Sequence, residues 1–187
     1  MKIGVIAEDI TDIEVLYELT CKLTRENSFS FKKFVGRGNG KLRRKCSVWA
    51  KNLLERGCTY LVVLHDLDGN NESQLRTNLT NCVQSVKFKA HVILIPVQEI
   101  EAWLLADAKA LKDVFHMVKL PKLPRNPEGI RRPKEKLRDI IWKTTKKYYG
   151  NTIHNKKIAA ACQIHKLNIC RSFRPYPKFI TSHSRPN

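Results

Sequence analysis

Short apolar runs alternate with longer segments of helical period over the first half of the chain. Lys2 to Ala7 is apolar after its first residue and stops at Glu8-Asp9, so it reads as a strand. Thr11-Asp12 can then cap a helix from about Asp12 to Arg25, with Ile13, Leu16, Tyr17, Leu19 and Leu23 on or near one face. Phe29 to Val35 alternates weakly and predicts a second strand. A helix from about Leu42 to Arg56 carries Leu42, Val48, Trp49, Leu53 and Leu54, and Gly57 ends it. Tyr60-Leu-Val-Val-Leu64 has the continuous β preference of a strand buried on both faces. Glu72 to Val86 has an apolar stripe of Leu75, Leu79, Cys82, Val83 and Val86. His91 to Val97 reads as a fourth strand, with Pro96 marking its end or an edge. Gln98 to Asp107 begins a fourth helix. The alternation predicts right-handed crossovers and an α/β fold: a Rossmann-like, mostly parallel four-stranded sheet with helices on both faces.

The pattern changes near Val118. Pro121, Pro124, Pro127 and Gly129 make a stiff basic connector, and Pro133 suits the first turn of a helix reaching about Lys147, with Leu137, Ile140, Ile141 and Trp142 on its inner side. A shorter helix from about Asn155 to Leu167 is expected. The stretch Phe173 to Lys178 holds too many prolines for a regular helix, and the last residues are expected to be mobile. The chain thus divides into an acidic-site domain (1–117), a Pro-rich basic connector (118–132) and a basic helical C-terminal region (133–187), without internal repeats.

Charge sharpens that division. The formal net charge is +18, and residues 1–107 carry 15 Lys and Arg against 13 Asp and Glu, whereas residues 108–187 carry 20 against 4. Such asymmetry calls for a polyanionic partner. No basic amphipathic helix edged with Trp or Phe favours a membrane, so the expected partner is nucleic acid, DNA or RNA. The candidate contacts are Arg37, Lys41, Arg43 and Arg44 near the second helix, and Arg131, Arg132, Lys134, Lys136, Lys146 and Lys147 beyond the connector. Gly36 to Lys41 reads as a flexible basic loop: its glycine spacing misses the phosphate-loop pattern and no hydroxyl follows Lys41. No aromatic pair at regular spacing points to a base-stacking platform. The six scattered cysteines read as reduced thiols, and the spacing of His154, Cys162, His165 and Cys170 matches no common zinc site. No run of 18 apolar residues exists and no signal peptide is recognisable, which predicts a cytoplasmic protein.

Against this basic background, three strands end in carboxylates. Glu8 follows the first, Asp66 and Asp68 the third, and Glu99 and Glu101 the fourth. Carboxyl ends of parallel strands share one edge, where open α/β sheets bind ligands. Converging carboxylates repel one another unless a cation neutralises them, and hard oxygen ligands suit a divalent ion. His65 is expected to point to the opposite face of its strand, as a buried, hydrogen-bonded histidine.

Glu8 with Asp12 four residues on, then a strand ending in Asp66-x-Asp68, resembles the TOPRIM catalytic domain of topoisomerases, primases and OLD-type nucleases. Gln98-Glu-Ile-Glu-Ala-Trp-Leu-Leu-Ala-Asp107 looks like a segment of small stand-alone TOPRIM-like proteins encoded beside ATPases in prokaryotic phage-defence loci. Pro133 to Leu137, Tyr149 to His154 and Ser172-Phe173 echo their C-terminal part. The resemblance implies a TOPRIM-like sheet and a metal-dependent nuclease. Glu8, Asp66 and Asp68 would be the catalytic acids binding one Mg²⁺ or Mn²⁺, and Asp12 with one of Glu99 or Glu101 would help hold a second. Two residues spaced by two on a helix face apart, so only one of them is expected to face the site, and Glu99 is favoured for its place at the strand end. His154 and Lys156 are candidates for neutralising developing charge. Asp9 stands where the family usually has Gly, and Asn151 where a Lys is expected. The alternative is a non-catalytic subunit that binds nucleic acid or a partner within an ATPase-containing defence complex. Asp66-Leu-Asp68-Gly69 also resembles the haloacid dehalogenase motif, but it follows the third strand rather than the first and lacks the Thr.

Overall fold

The four apolar runs pair side by side. In the computed structural model, which describes residues 1–24, 28–36 and 39–184, the strands are β1 (Lys2–Ala7), β2 (Ser30–Val35), β3 (Tyr60–Leu64) and β4 (Ala90–Leu94). All neighbours are parallel, in the order β2-β1-β3-β4. β1 and β3 are central and almost wholly buried, which accounts for their continuous apolar runs. β2 is an edge strand with Ser30, Lys32 and Lys33 exposed, which accounts for its weaker alternation. Arg37 lies outside the described residues.

Helices cover both faces, as the alternation predicts. α2 (Asn39–Glu55) and α3 (Glu72–Val83) bury Leu42, Leu53, Leu75 and Leu79 against Ile6, Leu61 and Val63. On the opposite face, α1 (Ile10–Leu23) packs Leu16 and Leu19 against Ile3, Val5, Val62 and Leu64. That second core also takes in α4 (Glu101–Leu104), α5 (Ala108–Phe115), α6 (Pro133–Thr145), α7 (Asn151–Ala161), α8 (Ile164–Leu167) and α9 (Pro175–Ser184). The compositional break near Val118 is therefore not a break in packing: Trp103, Ile141 and Tyr176 are as buried as β1.

Polar contacts fasten this half to the sheet. Tyr176 Oη lies 2.6 Å from Thr20 Oγ1 and donates to the Leu16 carbonyl at 3.0 Å, tying α9 to α1. Trp103 Nε1 donates to Ser172 Oγ at 2.8 Å. Glu128, in the 3₁₀ turn Pro127–Gly129, accepts from the backbone N–H groups of Arg171 and Ser172 and so anchors the proline-rich connector.

Several local expectations are corrected. α1 starts at Ile10 and is capped by Asp9, not by Thr11-Asp12. The helix expected over Asn155 to Leu167 divides into α7 and α8. The prolines of the tail do not prevent a helix, because Pro175 and Pro177 fall in the first turn of α9, where backbone N–H groups have no intrahelical acceptor. Trp142 is exposed, since Leu137, Ile140 and Ile141 complete the inner face of α6. Among the described residues no helix is long and apolar enough to cross a membrane.

β1 packs tightly on α2 through a glycine. A Cβ on Gly4 would come within 3.0 Å of Leu53 Cδ1 and 3.1 Å of Leu53 Cβ, and Leu53 is fully buried. Gly4→Val should therefore overpack this contact and cost about 1–3 kcal/mol. The check is urea unfolding, in which a lower midpoint at unchanged m-value is expected.

Candidate metal centre

The strand order decides what meets at the sheet edge. The chain leaves β1 for β2, then crosses back over β1 to β3, so the switch point lies between β1 and β3. Glu8 leaves β1 there and Asp66 leaves β3. β4 lies on the far side of β3 and delivers Glu99 and Glu101 to the same edge. The β3–β4 pairing runs on past the strands, with Leu67 N–H donating to the Pro96 carbonyl at 3.0 Å and Asp68 N–H to the Gln98 carbonyl at 3.4 Å. The turn after β3 closes at Gly69 (φ 73°), and Asn71 caps α3 by accepting from Gln74 N–H at 3.0 Å. Capping thus falls to Asn71 and leaves Asp66 without that duty.

The result is one cavity of about 210 Å³ lined by Glu8, Asp12, Asp66, Glu99 and Glu101, with Asp9, Thr11, Lys134 and Asn151. Four of these acids are each held by a different device. Asp12, at the third position of α1, accepts Asp9 N–H at 3.1 Å while Asp9 accepts Thr11 N–H at 2.8 Å, a reciprocal capping box. Glu99 accepts Lys134 N–H at 3.1 Å and so caps α6, whose Pro133 has no N–H to give. Glu101 is buried and accepts Asn155 Nδ2 at 3.0 Å, with Tyr149 Oη 3.4 Å away and donating to Asn155 Oδ1. His65 Nδ1 lies 2.6 Å from Glu8 Oε1 and 2.7 Å from the Asp66 carbonyl. Its hydrogen bond aligns with the carbonyl, and Glu8 Oε1 is left with the close imidazole contact but no aligned hydrogen bond. His65 is buried and hydrogen-bonded, as expected, and does not line the cavity, but its ring reaches Glu8 rather than pointing clear of the acids. The β1–β3 register, Ile6 opposite Val63, carries on to set Glu8 beside it.

Desolvation dominates the electrostatics. Burial first, then the charges of Glu101, Asp9 and Glu8, pushes the Asp12 carboxyl up to about 8 against a lowering hydrogen bond from Asp9. Burial also holds Asp66 well above the carboxylate range, reinforced by Asp12, Glu101, Glu8 and Asp68. Glu99 is raised mainly by burial. Asp66 Oδ1 and Glu8 Oε1 are buried without hydrogen-bond partners. An all-oxygen donor set with a buried, unbonded Asp66 oxygen fits a hard divalent ion such as Mg²⁺ or Mn²⁺. The set is open rather than preassembled: among the described residues no three ligating side chains form a ready-made metal cluster.

The other candidates distribute differently. Asp68 is exposed, adopts φ 44° and does not line the cavity, although its charge is felt at Asp66. Glu99 and Glu101 both line it, because Glu99 precedes α4 and the helical spacing argument does not apply. His154 packs between Phe115 and Tyr149 and bonds to Gly150 through Nδ1. Lys156 pairs with Glu18 at 3.7 Å, and Lys147 Nζ donates to the Phe115 carbonyl at 2.8 Å. Lys146 caps α6 in left-handed conformation and lies over Trp142. None of these four lines the cavity. Lys134 does, whereas Arg131, Arg132 and Lys136 are exposed on the approach to α6 and its first turn. Lys41, Arg43 and Arg44 are exposed at the start of α2. Sequence reading missed Tyr149 and Asn155 as supports of Glu101; the buried side-chain amide of Asn155 carries no periodic signal.

A raised carboxyl pKa means that the folded form keeps its proton after the unfolded chain has lost it. The contribution of Asp12 to stability is therefore full below its ordinary value of 3.8 and is lost as pH rises through about 8. With divalent ions chelated, stability should fall across that window, and Asp12→Asn, which keeps an acceptor for Asp9 N–H, should fall less steeply. Urea midpoints at a series of pH values measure this, and identical slopes for the two proteins would refute it.

Comparison with known proteins gives one match. A family model described as a domain of unknown function, DUF4276, covers residues 8–179, from the first cavity carboxylate to the middle of α9. No curated protein and no solved structure matches the chain. With the acid cavity and both flanking helical layers inside the matched span, the chain belongs to the DUF4276 family.

Proposed function

We propose that this protein is a divalent-metal-dependent phosphodiesterase acting on nucleic acid. The observation that carries the reading is the meeting of Glu8, Asp12, Asp66, Glu99 and Glu101 in one cavity, with Asp66 Oδ1 buried and without a hydrogen-bond partner. Glu8, Asp66 and Asp12 would hold the ion, with Glu99 or Glu101 available for a second. Bound Mg²⁺ or Mn²⁺ would supply a polarised phosphoryl oxygen and an activated water. The chain's own groups do the rest. Lys134 brings a cation to the rim, placed to hold a phosphate against the acids. Lys41, Arg43 and Arg44 sit in the first turns of α2, which has no acidic residue in its first turn. Cations there oppose the helix dipole, a cost that a polyanion offsets. The basic C-terminal half keeps the nucleic-acid backbone close despite the acidic cavity. The resemblance to TOPRIM-like defence proteins adds a role in anti-phage defence with an ATPase partner to this proposal.

One observation favours the alternative of a non-catalytic binding subunit: Asp68, a catalytic acid by the resemblance, lies outside the cavity. The two readings separate on metal. Affinity and cleavage are measured in parallel with EDTA, Ca²⁺, Mg²⁺ and Mn²⁺, with and without the ATPase encoded beside the gene where there is one. The phosphodiesterase reading expects cleavage only with Mg²⁺ or Mn²⁺. It expects Asp66→Asn to lower cleavage by at least the roughly 10–100-fold that losing even an outer-shell partner costs a metal site. Equal binding in all four conditions, without cleavage in either setting, would establish the binding subunit. Replacing Lys134, Arg131, Arg132 and Lys136 should weaken binding and flatten its salt dependence, by about 0.9 in log–log slope for each duplex DNA phosphate that is no longer neutralised.

A further inference from the structure

Beside the acid cavity lies a second hollow of about 150 Å³ that shares Lys134 and Asn151 with it. Its lining adds Glu135 and Arg138 from α6, and Tyr148 and Gly150 from the α6–α7 link. Tyr148 is 72% exposed, whereas the adjacent Tyr149 is turned inward and buried. Tyr149 Oη donates to Asn155 Oδ1 at 2.5 Å, which fixes the backbone that presents its neighbour outward. One side of the Tyr148 ring rests on the chain: a Cβ on Gly150 would come within 2.9 Å of Tyr148 Cε1, so glycine lets the ring lie this close without shifting. An aromatic ring backed on one side, otherwise open to water and flanked by Lys134 and Arg138, is the construction of a stacking platform.

We propose that Tyr148 stacks an unpaired base of the strand that enters the acid cavity, so that the substrate is single-stranded at this point. The proposal rests on the phosphodiesterase reading for what happens next door, but the stacking itself does not. Bases inside a duplex have both faces covered by neighbours, and only an unpaired or terminal base can offer a face to Tyr148. Lys134 and Arg138, four residues apart on one side of α6, take the backbone phosphates. Glu135 is suited to accept a hydrogen bond from an exocyclic amine of the base. Lys134 and Asn151 line both hollows, so the platform and the acid cavity can hold successive parts of one strand.

The test uses the full chain in Ca²⁺ and short single strands, DNA and RNA, each carrying one fluorescent aminopurine, with the matched duplexes alongside. Stacking predicts quenching with single strands. Tyr148→Ala should remove the quench and weaken single-strand affinity roughly 5- to 100-fold, leaving duplex affinity unchanged. Tyr148→Phe, which keeps the ring, should behave as wild type. The difference between the DNA and RNA arms assigns the sugar. Equal single-strand affinity for wild type and Tyr148→Ala, or an equal loss on duplex, overturns the proposal. Asp66→Asn separates the two readings: it should keep the quench and lose cleavage in Mn²⁺. A Tyr148-dependent quench in a wild-type protein that never cleaves leaves the platform standing and removes the phosphodiesterase. Cleavage that ignores Tyr148 and strandedness does the reverse.

Discussion

Carboxylates taken out of water beside one another are the constraint on which this molecule turns. The order β2-β1-β3-β4 makes β1, β3 and β4 neighbours, so acids at their carboxyl ends have nowhere to go but toward each other. Their mutual repulsion and desolvation oppose folding. Three of the acids are accordingly held by separate donors: Asp9 N–H for Asp12, Lys134 N–H for Glu99, and Asn155 Nδ2 for Glu101. Two of those donors come from α6 and α7. The basic C-terminal half is thus part of the site's construction, which explains why its helices share a core with β1 and α1 instead of forming a separate body.

The sheet was legible because its signals are local. Continuous β-branched and leucine runs can only be satisfied by burial on both faces, and helical periods between them leave few topologies. Convergence of Glu8, Asp66, Glu99 and Glu101 followed from strand ends sharing an edge. What escaped were features decided by a single turn or a distant partner. Asp68 follows the Asp-x-Asp pattern, yet a left-handed φ of 44° in the turn carries it out of the cavity. His65 faces Glu8 because of cross-strand register, which alternation along one strand does not reveal. The exposure of Tyr148 depends on its neighbour Tyr149 finding Asn155 across a helix boundary, and so does not show as aromatic spacing.

Charge is divided by depth as well as by sequence. Glu8, Asp12 and Glu101 are buried at the sheet edge and Asp66 and Glu99 half-buried, while the Lys and Arg of α2 and Arg131 and Arg132 before α6 are exposed. A polyanion meets the outer cations first and is drawn in by long-range attraction. It reaches the acids only where their charge has been neutralised, by protons or by a cation. Burial raises Asp12 and Asp66, which makes the proton a real competitor for the same oxygens. A cation that binds here must therefore displace protons as well as bring the carboxylates together.

Asp9 shows how a departure from the TOPRIM pattern that the sequence resembles can be absorbed locally. Glycine after the first glutamate leaves the backbone open, and an aspartate there reads as an extra ligand or an extra repulsion. Here its side chain accepts Thr11 N–H, and its own N–H is taken by Asp12 Oδ2. The residue is exposed, its charge is still felt at Asp12, and its position at the start of α1 is favoured by the helix dipole. The box engages one Asp12 oxygen and leaves the other available to the cavity. Asp9 therefore acts less as a sixth acid of the site than as the device that orients Asp12 within it.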